Sequence, residues 1–116
     1  MIYNTSVMED TIDKRFRMAC LFDLYGQMLT EKQRESLQSY YSEDYSLSEI
    51  ASHMGVSRQA AFDLIKRTEK LLEEYEEALK LYERYSQNLK LLKNLKTLCA
   101  QNAPALELIE QLEENL

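Results

Sequence analysis

The sequence predicts an all-α protein: a helix-turn-helix domain followed by a long C-terminal helical extension. Three observations predict it. Only two glycines and one proline interrupt the 116 residues, so helices run far before a breaker stops them. Apolar residues recur at three- and four-residue intervals along most of the chain, the spacing of one helical face. Residues 46–67 combine two capping residues, a glycine and two apolar rows, in the order a helix-turn-helix requires.

The first helix is expected from about Glu9 to Met28, because Met18, Leu21, Phe22, Leu24, Tyr25, Met28 and Leu29 follow helical spacing. Thr30-Glu31-Lys32-Gln33 reads as a capping box. It opens a helix through about Ser42, with Leu37, Tyr40 and Tyr41 inward. Glu43-Asp44-Tyr45 is a polar connector. Ser46 with Glu49 forms a second capping box, and Leu47, Ile50, Ala51 and Met54 give the next helix an apolar face. Gly55 ends that helix, since a left-handed residue is cheapest when it is glycine. Val56 is expected to be a buried turn residue, and Ser57 caps the following helix, whose inner face is Ala61, Leu64 and Ile65. Ala51 is small where two helices must cross closely. A second helix held in this way is a common means of entering the DNA major groove.

From Arg58 no breaker occurs until Asn102-Ala103-Pro104, which predicts one helix to about Leu98, roughly 60 Å long. The apolar seam changes phase at Tyr85 to Asn88, the expected place for any break. Pro104 suits the start of a terminal amphipathic helix with Ala105, Leu108, Ile109, Leu112 and Leu116 on one side. The chain thus divides into a helix-turn-helix core, residues 1–70, and an arm, residues 71–116. Within the arm Leu72, Tyr75, Leu79 and Tyr82 step by three and four residues, a short heptad-like seam. Two uses fit it: pairing of two copies as a homodimer, or cover for the chain's own N-terminal helices. A long helix on so small a core leaves apolar surface exposed, which favours the homodimer.

The net charge is −6, against what phosphate contacts need. Its distribution is uneven. Residues 57–70 carry Arg58, Lys66, Arg67 and Lys70 against Asp63 and Glu69, and form a locally basic segment; taken as wholes, the segments on either side are acidic. A basic helix face can also be simply solvated.

Catalytic and metal-binding arrangements are not expected, nor is a cofactor. His53 is the one histidine, on the polar side of its helix, with no serine or cysteine spaced to partner it. Glu73-Glu74 and Glu76-Glu77 flank the seam and read as solvating charges. No glycine-rich phosphate loop occurs. Cys20 and Cys99 lack metal-type spacing and read as reduced thiols of a cytoplasmic protein. No apolar run is long enough to insert in a membrane, and residues 1–16 do not read as a secretion signal.

Several separated blocks carry a family resemblance: Leu21-Phe22-Asp23-Leu24-Tyr25-Gly26, Leu29-Thr30-Glu31-Lys32-Gln33-Arg34, Leu47-Ser48-Glu49-Ile50-Ala51, Val56-Ser57-Arg58-Gln59-Ala60 and Ile65-Lys66-Arg67-Thr68-Glu69-Lys70-Leu71-Leu72. Together, over about residues 15–85, they resemble the YlxM family of small bacterial helix-turn-helix proteins, itself similar to region 4 of sigma-70-type sigma factors. The last thirty residues show no pattern assignable to that family. The resemblance implies DNA binding and a regulatory link to the signal recognition particle pathway. By analogy with sigma region 4, Ser57, Arg58, Gln59, Phe62, Asp63 and Lys66 face the groove, while Lys66, Arg67 and Lys70 meet phosphates. Phe62 and Asp63 depart from the polar or basic residues usual there. Two function classes follow. One is a dimeric regulator reading double-stranded DNA, with its long helices setting half-site spacing. The alternative is a protein-interaction module on the same scaffold, docking on secretion or transcription machinery.

Overall fold

The computed structural model describes residues 2–116, with side chains described from Asp13 onward. It contains α1 (Ile2–Tyr25), a 3-10 turn (Gly26–Met28), α2 (Glu31–Leu37), a π-helical turn (Gln38–Ser42), α3 (Leu47–Met54), α4 (Arg58–Leu79), α5 (Leu81–Leu98) and α6 (Ala103–Glu114). No strand occurs among the described residues, so the all-α helix-turn-helix fold holds. No helix among them is long and apolar enough to cross a membrane.

Both expected capping boxes form. The Thr30 hydroxyl accepts from the Gln33 N–H at 3.2 Å, and the Gln33 side chain accepts from the Thr30 N–H at 3.0 Å. Ser46 and Glu49 repeat this at 3.1 Å in each direction. The Ser46 backbone N–H, followed by its side chain, stabilises the ionised Glu49 carboxyl and lowers its pKa from the usual value. Each box satisfies two N–H groups that a helix start leaves without partners. Gly55 takes φ 68°, ψ 34°, and its N–H returns to Ala51 and Ser52 carbonyls, closing α3.

The chain separates into two compact units, residues 1–79 and 80–116. In the first, α1, α2 and α3 all pack on α4. Its core is built from Met18, Leu21 and Tyr25 of α1, Leu29, Leu37 of α2, Ile50 and Ala51 of α3, and Ala61, Ile65 and Leu72 of α4. Buried Leu and Ile side chains each contribute about 1.5–3 kcal/mol. The Tyr25 hydroxyl donates to the buried Glu76 carboxylate at 2.6 Å, and its ring lies 6.0 Å from that of Tyr75. Arg17 grips Glu73 through Nε and Nη2 at 2.7–3.0 Å, tying α1 to α4 at the edge of this core. In the second unit α5 and α6 pack together through Leu92 and Ile109, with Lys96 bridged to Glu113 at 2.6 Å. Asn102 caps α6 by accepting from the Ala105 N–H, and Pro104 lies in the first turn as expected.

Four expectations need correction. The first helix ends at Tyr25, and residues 26–28 tighten into a 3-10 turn. The second leaves α-geometry at Gln38 and widens to π, with the Glu43 N–H reaching back five residues to the Gln38 carbonyl at 3.2 Å. Val56 is 43% exposed, not buried, because α3 and α4 close over Ala51 and Ala61 without it. The long helix breaks at Lys80 (φ 55°), five residues before the phase change that pointed to a break.

Gly55 has open space around its Cβ position, so replacing it costs only conformational strain. Gly55→Ala is expected to destabilise the protein by about 1–2 kcal/mol, read as a lower urea midpoint with unchanged slope.

Candidate nucleic-acid interface

The motif's second helix, α4, begins where the Ser57 hydroxyl accepts from the Ala60 N–H at 3.0 Å. Its inward row is Ala61, Ile65, Thr68 and Leu72, all buried. At about 100° per residue, Arg58, Gln59, Phe62, Asp63, Lys66, Arg67 and Lys70 share the outer half of the helix, and each of them is exposed. The structure therefore brings the residues expected at the groove onto one continuous surface, with the Ser57 cap at its tip.

Within that surface the side chains are not equivalent. Arg58 and Lys70 stand in solvent at its ends. The Gln59 amide donates to Asp63 Oδ1 at 3.0 Å, so the one candidate adenine reader is engaged by the acidic residue one turn on. Arg67 Nε donates to the Asp63 carbonyl at 3.3 Å. Lys66 Nζ sits 3.3 Å from Glu69 Oε1 and 5.5 Å from the centre of the Phe62 ring. Phe62 thus shields a cation–carboxylate pair from one side, which accounts for an aromatic residue at a position where sigma region 4 usually has a polar one.

Glu69 is buried, and sequence reading missed its role. Lys14 of α1 lies 3.7 Å from it, Lys66 approaches from its own helix, and the Tyr41 hydroxyl of the π-turn donates to it. Burial first, then the hydrogen bond to Glu69, raises the Tyr41 pKa well above the usual tyrosine value. Arg15 completes the cluster: its guanidinium lies 5.2 Å from the Tyr41 ring centre and reaches Asp44 at 3.0 Å. The Lys14-Arg15-Phe16-Arg17 run was the available signal. Lys14 and Arg17 line a concavity of about 490 Å³ together with Lys66 and Lys70, with Glu69 and Glu73 between them. The charged surface of α4 therefore extends onto α1 as ion pairs, Lys14 with Glu69 and Arg17 with Glu73.

On the other flank a groove of about 700 Å³ opens between α2, the π-turn, α3 and α4, lined by Ile50, Met54, Val56, Ala60 and Leu64 together with polar and charged residues such as Lys32, Glu35 and Glu43. His53 stands at its rim, stacked on Tyr45 at 5.5 Å and 13°.

The seam assigned to pairing is divided. Leu72 is fully buried in the chain's own core, and Tyr75 is half-buried beside Tyr25, so in this conformation neither presents an open face to a second copy. Leu79 is 45% exposed at the end of α4, and Tyr82 lies beyond the Lys80 break on α5.

A family model described as "Putative helix-turn-helix protein, YlxM / p13 like" matches residues 12–114. The match reaches the last helix, well past residue 85, where the resemblance carried by the sequence blocks ends. Among curated relatives, the UPF0122 protein of Halalkalibacterium halodurans is 48% identical over 102 residues, 88% of this chain and 94% of the relative. That of Bacillus pumilus is 47% identical over 107 residues, 90% and 97% of the two chains. That of Oceanobacillus iheyensis is 54% identical over 85 residues, 73% and 81%.

The raised Tyr41 pKa has a definite sign in stability. An unfolded tyrosine ionises near its model value of 10.0, whereas the folded one keeps its proton to higher pH. The contribution is therefore complete below about pH 10 and declines as pH rises beyond it. Melting temperature is expected to fall more steeply above about pH 10 in the wild type than in Tyr41→Phe, which lacks the titrating hydroxyl.

Proposed function

The chain belongs to the YlxM / p13-like family of helix-turn-helix proteins, and we propose that it is a cytoplasmic regulatory protein that binds double-stranded DNA. The observation that carries this reading is the outer half of α4. A capped helix presents Arg58, Lys66, Arg67 and Lys70 on its solvent side in a chain of net charge −6. With α4 in the major groove, Arg58 suits the O6 and N7 acceptors of guanine and Gln59 suits adenine. The Ser57 end of the helix, with its free N–H groups, suits a phosphate. Arg67 and Lys70 supply phosphate contacts that set register, whereas Lys14 and Arg17 of α1 are already engaged by Glu69 and Glu73.

The same geometry sets a low ceiling on affinity. Lys66 already neutralises Glu69, and Gln59 must leave Asp63 before it can read a base. Binding of this kind is dominated by phosphates. With about three cations free to displace counterions, the slope of log K on log salt is on the order of −3. Two copies acting together double the number of contacts. The regulatory setting implied by the family resemblance, the signal recognition particle pathway, rests on that resemblance alone.

A second reading, docking of a protein partner from secretion or transcription machinery, is favoured by the partly apolar groove between α2, the π-turn, α3 and α4. Duplex binding separates the two. Anisotropy of a labelled duplex, titrated at several salt concentrations between about 50 and 200 mM, is expected to show salt-sensitive binding. Arg58→Ala with Lys70→Ala should flatten the salt slope by about two; this pair is chosen because Lys66→Ala would also strip a buried carboxylate of its partner. Asp63→Ala, which removes a charge that repels phosphate and frees Gln59, should tighten binding several-fold. Absence of salt-dependent binding by the wild type at the lowest ionic strength would overturn the DNA reading and leave the docking one.

A further inference from the structure

The C-terminal unit has the surface of a half-assembled structure. Among the described residues, residues 80–116 supply only two of the twelve buried apolar side chains, Leu92 and Ile109, yet eight of the fourteen exposed large ones. So few buried side chains do not hold two helices firmly on their own. The exposed residues are ordered. On α5, Leu91, Leu95 and Leu98 step by four and three residues and share an arc of about 60°, apart from Leu92, which faces α6. On α6, Leu108 and Leu112 are one turn apart, and Leu116 continues their row just past the helix end. Leu91 is 61% exposed and Leu108 62%.

Charge indicates what covers these rows. α5 carries Arg84, Lys90, Lys93 and Lys96 against Glu83, whereas α6 carries Glu107, Glu110, Glu113 and Glu114 and no cation. Each helix thus joins a leucine row to one sign of charge, and the two signs are opposite. Lys90 directly precedes Leu91 and Glu107 directly precedes Leu108, so both borders are charged in the complementary sense. A surface made of one basic and one acidic leucine-bearing helix is complementary to itself under a two-fold rotation.

We propose that two copies of the chain pair through this unit, α5 of each against α6 of the other, with the leucine rows interleaved and Lys90 facing Glu107 of the second copy. The interface lies outside the Leu72, Tyr75, Leu79 and Tyr82 seam, and it forms whether or not α4 binds DNA.

Sedimentation equilibrium of the full chain without nucleic acid tests it. The wild type is expected to be a dimer at micromolar concentration. Leu91→Glu with Leu108→Glu should weaken association by about 100-fold while the helical circular dichroism and melting profile persist, since both side chains lie in solvent in the single copy. Lys90→Glu alone and Glu107→Lys alone should each weaken pairing, and the two together should restore it. A wild-type monomer at tens of micromolar overturns the proposal. So does a dimer indifferent to the leucine substitutions, or one that pairs only with a different protein. Because no duplex is present, none of these outcomes is confused with a failure to bind DNA.

Discussion

α1, α2 and α3 have one helix in common, and the first unit exists because they converge on the same row of α4. That row is Ala61, Ile65, Thr68 and Leu72, and its chemistry constrains everything packed on it. Ala61 is small, which suits a close crossing at the start of α4, where Ala51 of α3 is also buried. Thr68 hides its hydroxyl by donating to the Leu64 carbonyl at 2.7 Å, so a polar residue sits fully buried without an unmet hydrogen bond. The rigidity of that inner row is what gives the outer row a defined direction.

Glu69 links the two rows. It lies at the border between core and surface, and its carboxylate is shared by α1 through Lys14, the π-turn through Tyr41 and α4 through Lys66. Removing a buried charge from water is costly, and partners on three elements offset the cost only when all three elements are in place. The cluster therefore reports on correct assembly. It also explains the π-turn in physical terms: Arg15 holds Tyr41 and Asp44 from α1, and Asp44 takes a left-handed backbone (φ 56°) that asparagine and aspartate tolerate better than most residues.

Local signals were legible in the sequence and relational ones were not. Ser46 with Glu49, Thr30 with Gln33, Gly55 and Pro104 act within four residues of themselves, and all four do what their chemistry requires. Periodicity also located Leu21, Tyr25, Leu37, Ile50 and Ile65 in the core. It did not show which apolar row faces inward where a helix has two: pairing and cover for the chain's own helices both fit the seam that contains Leu72, and Leu72 is buried in the chain's own core. The Lys80 break carries no marker, because lysine is not a residue that usually adopts φ near 55°. At the candidate interface the sequence located the exposed half of α4. It could not show that Gln59 and Lys66 are already engaged, since each engagement is a choice of side-chain rotamer among several within reach.

The gathering of positive charge onto particular helix faces of a net-acidic chain has a consequence for encounter. A body of net charge −6 approaching a polyanion is pushed away when an acidic face leads, and is drawn in when a basic one leads, such as the outer side of α4 or the cationic α5. Over the last Debye length, about 8 Å in physiological salt, the field exerts a torque as well as a force. Misoriented collisions are rejected before contact, so the protein's acidity acts as an angular filter on its own collisions.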